Sequence, residues 1–221
     1  MMRCLSTDQK MVYQQYCKLS REVAEFSKRS QGEVSLYKNI WSIISKEGIF
    51  GLAISKQYGG ANLSWQDCVV AVDGFFSNYS STEFLALIIS QISSIYLIHQ
   101  HGTESIKKKY LPRLIQGEVA VLSVSENIRE YSFCLNKIKQ LPDVGNNKIF
   151  VYAEKTENSL VFYIDEKKFS LNPLEKNKKN DLALDVENIF LSREAGLSSL
   201  CDLINFERLV YGVLSARFLE K

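Results

Sequence analysis

The chain has 221 residues, 46% of them hydrophobic, with three prolines and a net charge of +2 from 27 basic and 25 acidic side chains. That length can bury a real core in one large domain or two small ones, and the composition excludes a disordered chain. The near-balance of charge removes the electrostatic case for nucleic acid or an anionic membrane as partner.

The opening stretch "MMRCLSTDQK" has no apolar run behind its positive charge, so no signal peptide is expected. Residues 8–29 carry Val12, Tyr16, Leu19, Val23 and Phe26 at spacings of three and four, one face of a helix. Leu36, Ile40, Ile43 and Ile44 repeat the pattern before Gly48. Ser64 and Asp67 form a capping-box pair for a helix through Phe76, although Gly74 inside it weakens the pattern. Thr82 to His99 reads as a long central helix stopped near Gly102. Its core, "FLALIISQISSIYLI" (84–98), is interrupted by Ser90, Gln91, Ser93 and Ser94 and falls short of the ~20 residues of a membrane span. Thr103 caps the next helix, where Ile106, Tyr110, Leu111 and Leu114 face one way and the lysines 107–109 line the wet face. Pro112 predicts a break or a fresh first turn there.

The pattern changes after Gly117. "KIFVYAE" (148–154) and "LVFYIDE" (160–166) are β-branched and aromatic strands around a polar turn, and "LALDVENIFL" (182–191) is a third. "LEKNKKND" (174–181) reads as a solvated loop. From Ser198 a helix returns and runs to the end. Leu203, Phe206, Leu209, Val210, Val213, Leu214 and Phe218 give it an apolar surface wider than one stripe. Burying each large side chain is worth about 1.5–3 kcal/mol, so that surface needs a cover. Either the helix folds back on the N-terminal helices or another chain, a hetero- or homo-oligomeric partner, covers it. The second is favoured, which makes Leu203, Phe206, Val210, Val213, Leu214 and Phe218 the expected partner-binding residues.

Chemistry is sparsely marked. The five cysteines (Cys4, Cys17, Cys68, Cys134, Cys201) are scattered and never in CxxC spacing, so no disulfide framework or zinc site is expected, and a reducing cytoplasm is the default. His99 and His101 stand two residues apart and do not share a helix face, so they are expected to be a helix-end cap or surface pair, with no metal. Tyr58-Gly59-Gly60 lacks a P-loop lysine and reads as a structural turn. Ser123 and Ser125 have no histidine–carboxylate pattern beside them for nucleophilic catalysis.

Four stretches in order resemble the acyl-CoA dehydrogenase family. "WSIISKEGIFGLAISKQYGGANLSWQD" (41–67) is similar to its helix ending at glycine and the loop with tyrosine before paired glycines. "HGTESIKKKYLPRLIQGE" (101–118) resembles its last N-terminal helix and the crossing into the β domain. "LDVENIFLSREAG" (184–196) resembles the strand leaving that domain. "NFERLVYG" (205–212) is similar to the start of the C-terminal helices. The resemblance implies a mostly helical α+β fold: an N-terminal helical domain (1–118), a reduced antiparallel β domain (119–196), and one terminal helix (197–221) remaining from a bundle.

The family's chemistry is removal of an α-proton from an acyl-CoA by a glutamate while hydride passes to FAD, which needs an aligned base and a stabilised enolate. "VLSVSEN" (121–127) aligns with the family's flavin-contacting strand, so Ser125 and Glu126 are the cofactor-binding candidates if flavin is retained. In "NFERLVYG" the resemblance to the isovaleryl-type branch makes Glu207 the candidate base. The departures are larger. "IREYSF" (128–133) lacks the family's glycine turn, and "KQLPD" (139–143) puts Leu141 and Asp143 in place of the flavin-wall tryptophan and threonine. The expectation is a truncated, degenerate member: a non-catalytic structural or interaction subunit without cofactor. The alternatives are an FAD-dependent acyl-CoA dehydrogenase subunit completed by a partner chain, or an acyl-thioester or acyl-carrier binding module.

Overall fold

Ser6 starts α1 (Thr7–Arg29) through a reciprocal capping box, its hydroxyl accepting from the Gln9 amide while the Gln9 side chain accepts from the Ser6 amide, both at 3.2 Å. The structure, a computed structural model, describes residues 5–30, 35–124, 144, 148–155, 160–166, 189–191 and 195–219. α2 (Leu36–Lys46) closes at Gly48, which takes the left-handed φ of 77°. Two 3-10 turns follow, Ile49–Gly51 and Lys56–Tyr58. α3 (Trp65–Phe75) opens on the expected Ser64–Asp67 capping box. Gly74 is no flaw in this helix. A Cβ at that position would lie 2.6 Å from the Tyr13 carbonyl oxygen of α1, so glycine is what lets α1 and α3 cross backbone to backbone.

α4 (Thr82–His101) is the core of the molecule. By length and composition it could cross a membrane, but 78% of its apolar window is buried inside the chain. α5 (Glu104–Ile115) runs without interruption through Pro112, against the expected break. The amide that proline lacks would have met the carbonyl of Lys108, an exposed residue whose carbonyl side water can reach, so the helix continues at a modest cost.

The sheet contains β1 (Val119–Val124), β2 (Lys148–Lys155), β3 (Leu160–Asp165) and β4 (Ile189–Leu191), in the order β1-β2-β3-β4. Where an antiparallel sheet was expected it is mixed: β1 and β2 run parallel, and the other two pairings are antiparallel. A parallel pair needs a crossover, and residues 125–147 are the length of chain available for it. Register places Leu122 beside Val151 and Val151 beside Ile164, with Ala120 beside Ile149, so one face of the sheet is a row of buried aliphatic side chains.

α6 (Ala195–Leu219) folds back across α3, α4 and β3. Leu203, Phe206, Val210 and Leu214 are buried there, between 1% and 6% exposed, and Val213 is partly buried against the same core. Of the two ways to cover this face, the chain itself supplies the cover, so these residues are not an open docking surface for a partner. The reason is geometric: α4 is buried on more than one side and offers α6 a second face after β1 has taken the first. The Phe218 side chain lies outside the described residues.

The polar residues that interrupt α4 join the helices to the sheet. Gln91, fully buried, donates from Nε2 to the Leu114 and Glu118 carbonyls at 3.0 and 2.9 Å, and its Oε1 accepts from the Ala120 amide at 2.6 Å. The Ser90 hydroxyl accepts from the Leu122 amide at 3.0 Å. Ser93 is as deeply buried, and its hydroxyl has no partner among the described residues. Gln91→Leu therefore strands the buried Ala120 amide and takes one bond from each of the Leu114 and Glu118 carbonyls, the first of which keeps the Gly117 amide. It is expected to cost about 2 kcal/mol in urea unfolding, whereas Ser93→Ala is expected to be neutral or stabilising.

Candidate functional site

The family-like junction between α5 and β1 is built from charge. Arg113 holds Glu118 in a two-pronged contact, Nε to Oε2 at 2.6 Å and Nη2 to Oε1 at 2.7 Å. The same guanidinium donates to Glu166, just past the end of β3, at 3.1 Å. Tyr110 donates its hydroxyl proton to the other Glu166 oxygen at 2.9 Å, and Lys109 Nζ stands 3.1 Å from it. Lys109 is thus not simply part of the wet face, as its sequence position implied. It pairs across to the sheet, and its ammonium also lies 4.9 Å from the Tyr110 ring centre. The Arg113 bond, followed by those of Tyr110 and Lys109, outweighs burial and holds the Glu166 carboxyl down at about 2. The arrangement fixes the crossing into the sheet and offers no open ligand position.

A groove of about 600 Å³ lies beside the C-terminal end of α5, lined by Lys46, Gly48, Gly59, Gly60, Pro112 and Ile115 among others. Its glycines invite a phosphate reading, but their amides already donate to backbone carbonyls. Gly48 gives to Ser45, Gly51 to Gly48, Gly59 to Lys56, and Gly60 to Ser55. A Cβ on Gly59 would come within 3.2 Å of Ile115 and one on Gly60 would overlap the Ile54 carbonyl, so these two glycines serve close packing. The expected structural turn at Tyr58-Gly59-Gly60 holds, with Tyr58 Oη donating to both Glu104 oxygens at 2.9 and 3.0 Å. These residues do not fit a dinucleotide such as FAD.

The two histidines reach opposite neighbours. His99 is half-buried, its Nε2 3.1 Å from Ser55 Oγ, with its ring set against Tyr58 and Trp65, so it is not a surface residue. His101 Nε2 stands 3.5 Å from Asp202 of α6. Between them lies an aromatic seam. Tyr96 and Phe206 stack at 4.3 Å, and Trp65 meets both edge-on at 4.9 and 5.3 Å. Glu207 follows Phe206 on α6 and is 3% exposed. Ser125 and Glu126 lie outside the described residues, directly after the last residue of β1, as do Leu141 and Asp143. Among the described residues, no three His, Cys, Asp or Glu side chains converge as a metal site would require.

The sequence model of the family "Acyl-CoA dehydrogenase, N-terminal domain" matches residues 6–118, just over half of the chain. The chain belongs to the acyl-CoA dehydrogenase family. Mitochondrial isovaleryl-CoA dehydrogenase of Bos taurus is 29% identical over 126 residues, which take in 55% of this chain and 29% of that protein. The matched part is thus under a third of the length of the enzyme it resembles. Among solved structures, the FAD complex of PigA aligns with a TM-score of 0.73 at 16% identity, covering 98% of this chain and 67% of PigA. The prolyl acyl carrier protein oxidase AnaB gives 0.67 at 16% identity, again with 98% and 67% covered. Identities at this level show a shared fold. It extends through the sheet and α6, well past the segment that the family pattern matches.

The junction network carries an acid signature. Glu166 ionises lower in the folded chain than its ordinary value of 4.5, so its contribution is present above that pH and fades as pH falls toward 2. Its side chain is 38% exposed, and solvent screening keeps the contribution near that of a surface network. Glu166→Gln is expected to lower stability by about 1 kcal/mol at neutral pH, with the gap to wild type closing below pH 4.5 in urea titrations.

Proposed function

We propose that this chain is a non-catalytic member of its family, a cytoplasmic subunit that contributes a helical body to a larger assembly. The observation that carries this reading is the placement of Glu207. A base that removes an α-proton must face a space the thioester can enter. Glu207 is instead 3% exposed on the face of α6 that packs into the chain, next to the stacked Tyr96–Phe206 pair. The glycine groove adds support, because its amides are committed to the backbone and its lining includes no residue of α6. With Leu203, Phe206, Val210 and Leu214 covered internally, the partner contact moves to the outer side of α6, where Leu209 is 50% exposed.

A second reading rests on the fold shared with the PigA–FAD complex and AnaB. Under it, flavin or an acyl thioester is held once a partner chain is present, with Ser125 and Glu126 at the ring and Glu207 as base. Absorption spectra and acyl-CoA stabilisation separate the readings. The purified chain, alone and co-purified with its partner, is expected to show no visible flavin band, and saturating acyl-CoA to leave its melting temperature unchanged. A stoichiometric flavin band overturns the non-catalytic reading. A ligand-dependent rise in melting temperature without flavin favours the binding module, since a ligand bound only to the native state must raise it.

A further inference from the structure

The last turn of α4 joins two separate parts of the molecule through its two histidines. Two residues apart on a helix, they project to different sides. His99 contacts Ser55 and Tyr58 of the 3-10 loop and Trp65 of α3, while His101 contacts Asp202 of α6. Trp65 then carries the His99 contact onward, because its ring packs on Tyr96 of α4 and Phe206 of α6. α6 therefore meets both imidazoles, His101 directly and His99 through Trp65. We propose that the C-terminal turn of α4 is a proton-sensitive clasp, in which neutral His99 keeps the Trp65–Tyr96–Phe206 seam closed over α6 and protonation of His99 releases it.

The charged surroundings set the direction. Around His99, the loop presents Ser55 and the Tyr58 hydroxyl, which is already tied to Glu104; α3 presents the Trp65 ring; α4 itself places the Gln100 amide 3.4 Å from Nδ1; α5 presents Lys107. Burial first, then the Lys107 ammonium, disfavours the imidazolium and moves the His99 titration below its ordinary 6.5. His101 is shifted the same way by burial, with Lys107 adding to the shift and Asp202 opposing it. The 3.5 Å contact with Asp202 is thus formed by a neutral ring at pH 7, and it becomes an ion pair only in acid. That pair offsets part of the shift without reversing it, so both imidazoles favour opening in acid, and His99 is the one whose ring meets the seam through Trp65.

The linkage follows in sign. A histidine titrating lower in the closed form than in the open one favours closure at and above pH 6.5. As pH falls below 6.5 the open form takes up the proton first, and closure weakens until the closed form titrates too. Each such histidine changes the closed-to-open ratio by at most about tenfold per pH unit over that interval.

The chain has two histidines and two tryptophans, which makes the test direct. The imidazole ring protons are followed by NMR from pH 8 to 4.5, on protein labelled with 5-fluorotryptophan, with Trp65→Phe to assign the fluorine signals. The expected result is a His99 midpoint below 6.5, matched by a change in the Trp65 fluorine signal that His99→Gln abolishes. Glutamine keeps a hydrogen-bonding group for Ser55 and does not titrate. If His99→Gln does not fold, Lys107→Met serves instead, and removing that charge is expected to raise the His99 midpoint and the Trp65 transition together. A His99 midpoint at or above 6.5, or a Trp65 signal that stays constant while His99 titrates, overturns the clasp.

Discussion

An edge strand presents a row of amides and carbonyls that must find partners, and β1 is an edge strand with its outer side buried against α4. No further strand lies there among the described residues. The partners are side chains from α4: Gln91 takes the Ala120 amide and Ser90 takes the Leu122 amide. Gln91 also donates to two carbonyls at the end of α5 and the start of β1. One amide side chain thereby ties three backbone groups together, and leaving the buried Ala120 amide unmet would cost about 1–3 kcal/mol. Because the register of the sheet starts from β1, the aliphatic row from Leu122 through Val151 to Ile164 depends on this contact.

The same junction is held on its wet side by a different kind of force. Arg113 is the hub, with Glu118 on one side and Glu166 on the other, and Tyr110 and Lys109 close the ring. Trp41 adds a third tie, donating its indole N–H to the Gly117 carbonyl at 2.7 Å. Gly117, at φ 96°, has no room for a side chain, because a Cβ there would overlap the Ser45 hydroxyl. Neutral bonds inside and charged bonds outside thus converge on the few residues where the chain passes from helix to strand. A stretch whose lysines read as a wet helix face is a structural splice.

Much of this architecture was legible in the sequence. Apolar spacing gave α1 to α4 nearly to the residue, and Ser64 with Asp67 named its own capping box, because these signals are local. The parallel β1–β2 pairing was not legible, since it depends on a crossover and not on strand composition. Pro112 misled because its missing hydrogen bond falls on a solvent-facing turn. The apolar breadth of α6 correctly announced a buried helix but could not say whose surface would cover it. The site was less readable still. Glu207 is a helical glutamate like many others in sequence, and only its tertiary placement separates it from a solvent-facing one. The most informative residues, Ser90 and Gln91, were visible as polar interruptions of an apolar helix. Their spacing carried no record of the strand they would meet.

The Gln91 contact also bears on how this chain can be divided. The family pattern ends at residue 118, between the Glu118 carbonyl that Gln91 donates to and the Ala120 amide that it accepts from. Cutting there would keep two of the three bonds and strand the third, along with the Ser90 hydroxyl that meets Leu122. The smallest piece that keeps these four bonds therefore extends through β1, so the end of the matched family pattern and the end of this bonded unit fall at different residues. During synthesis the same constraint imposes an order: α4 can form early, but its dry polar groups find their partners only after residue 122 has emerged.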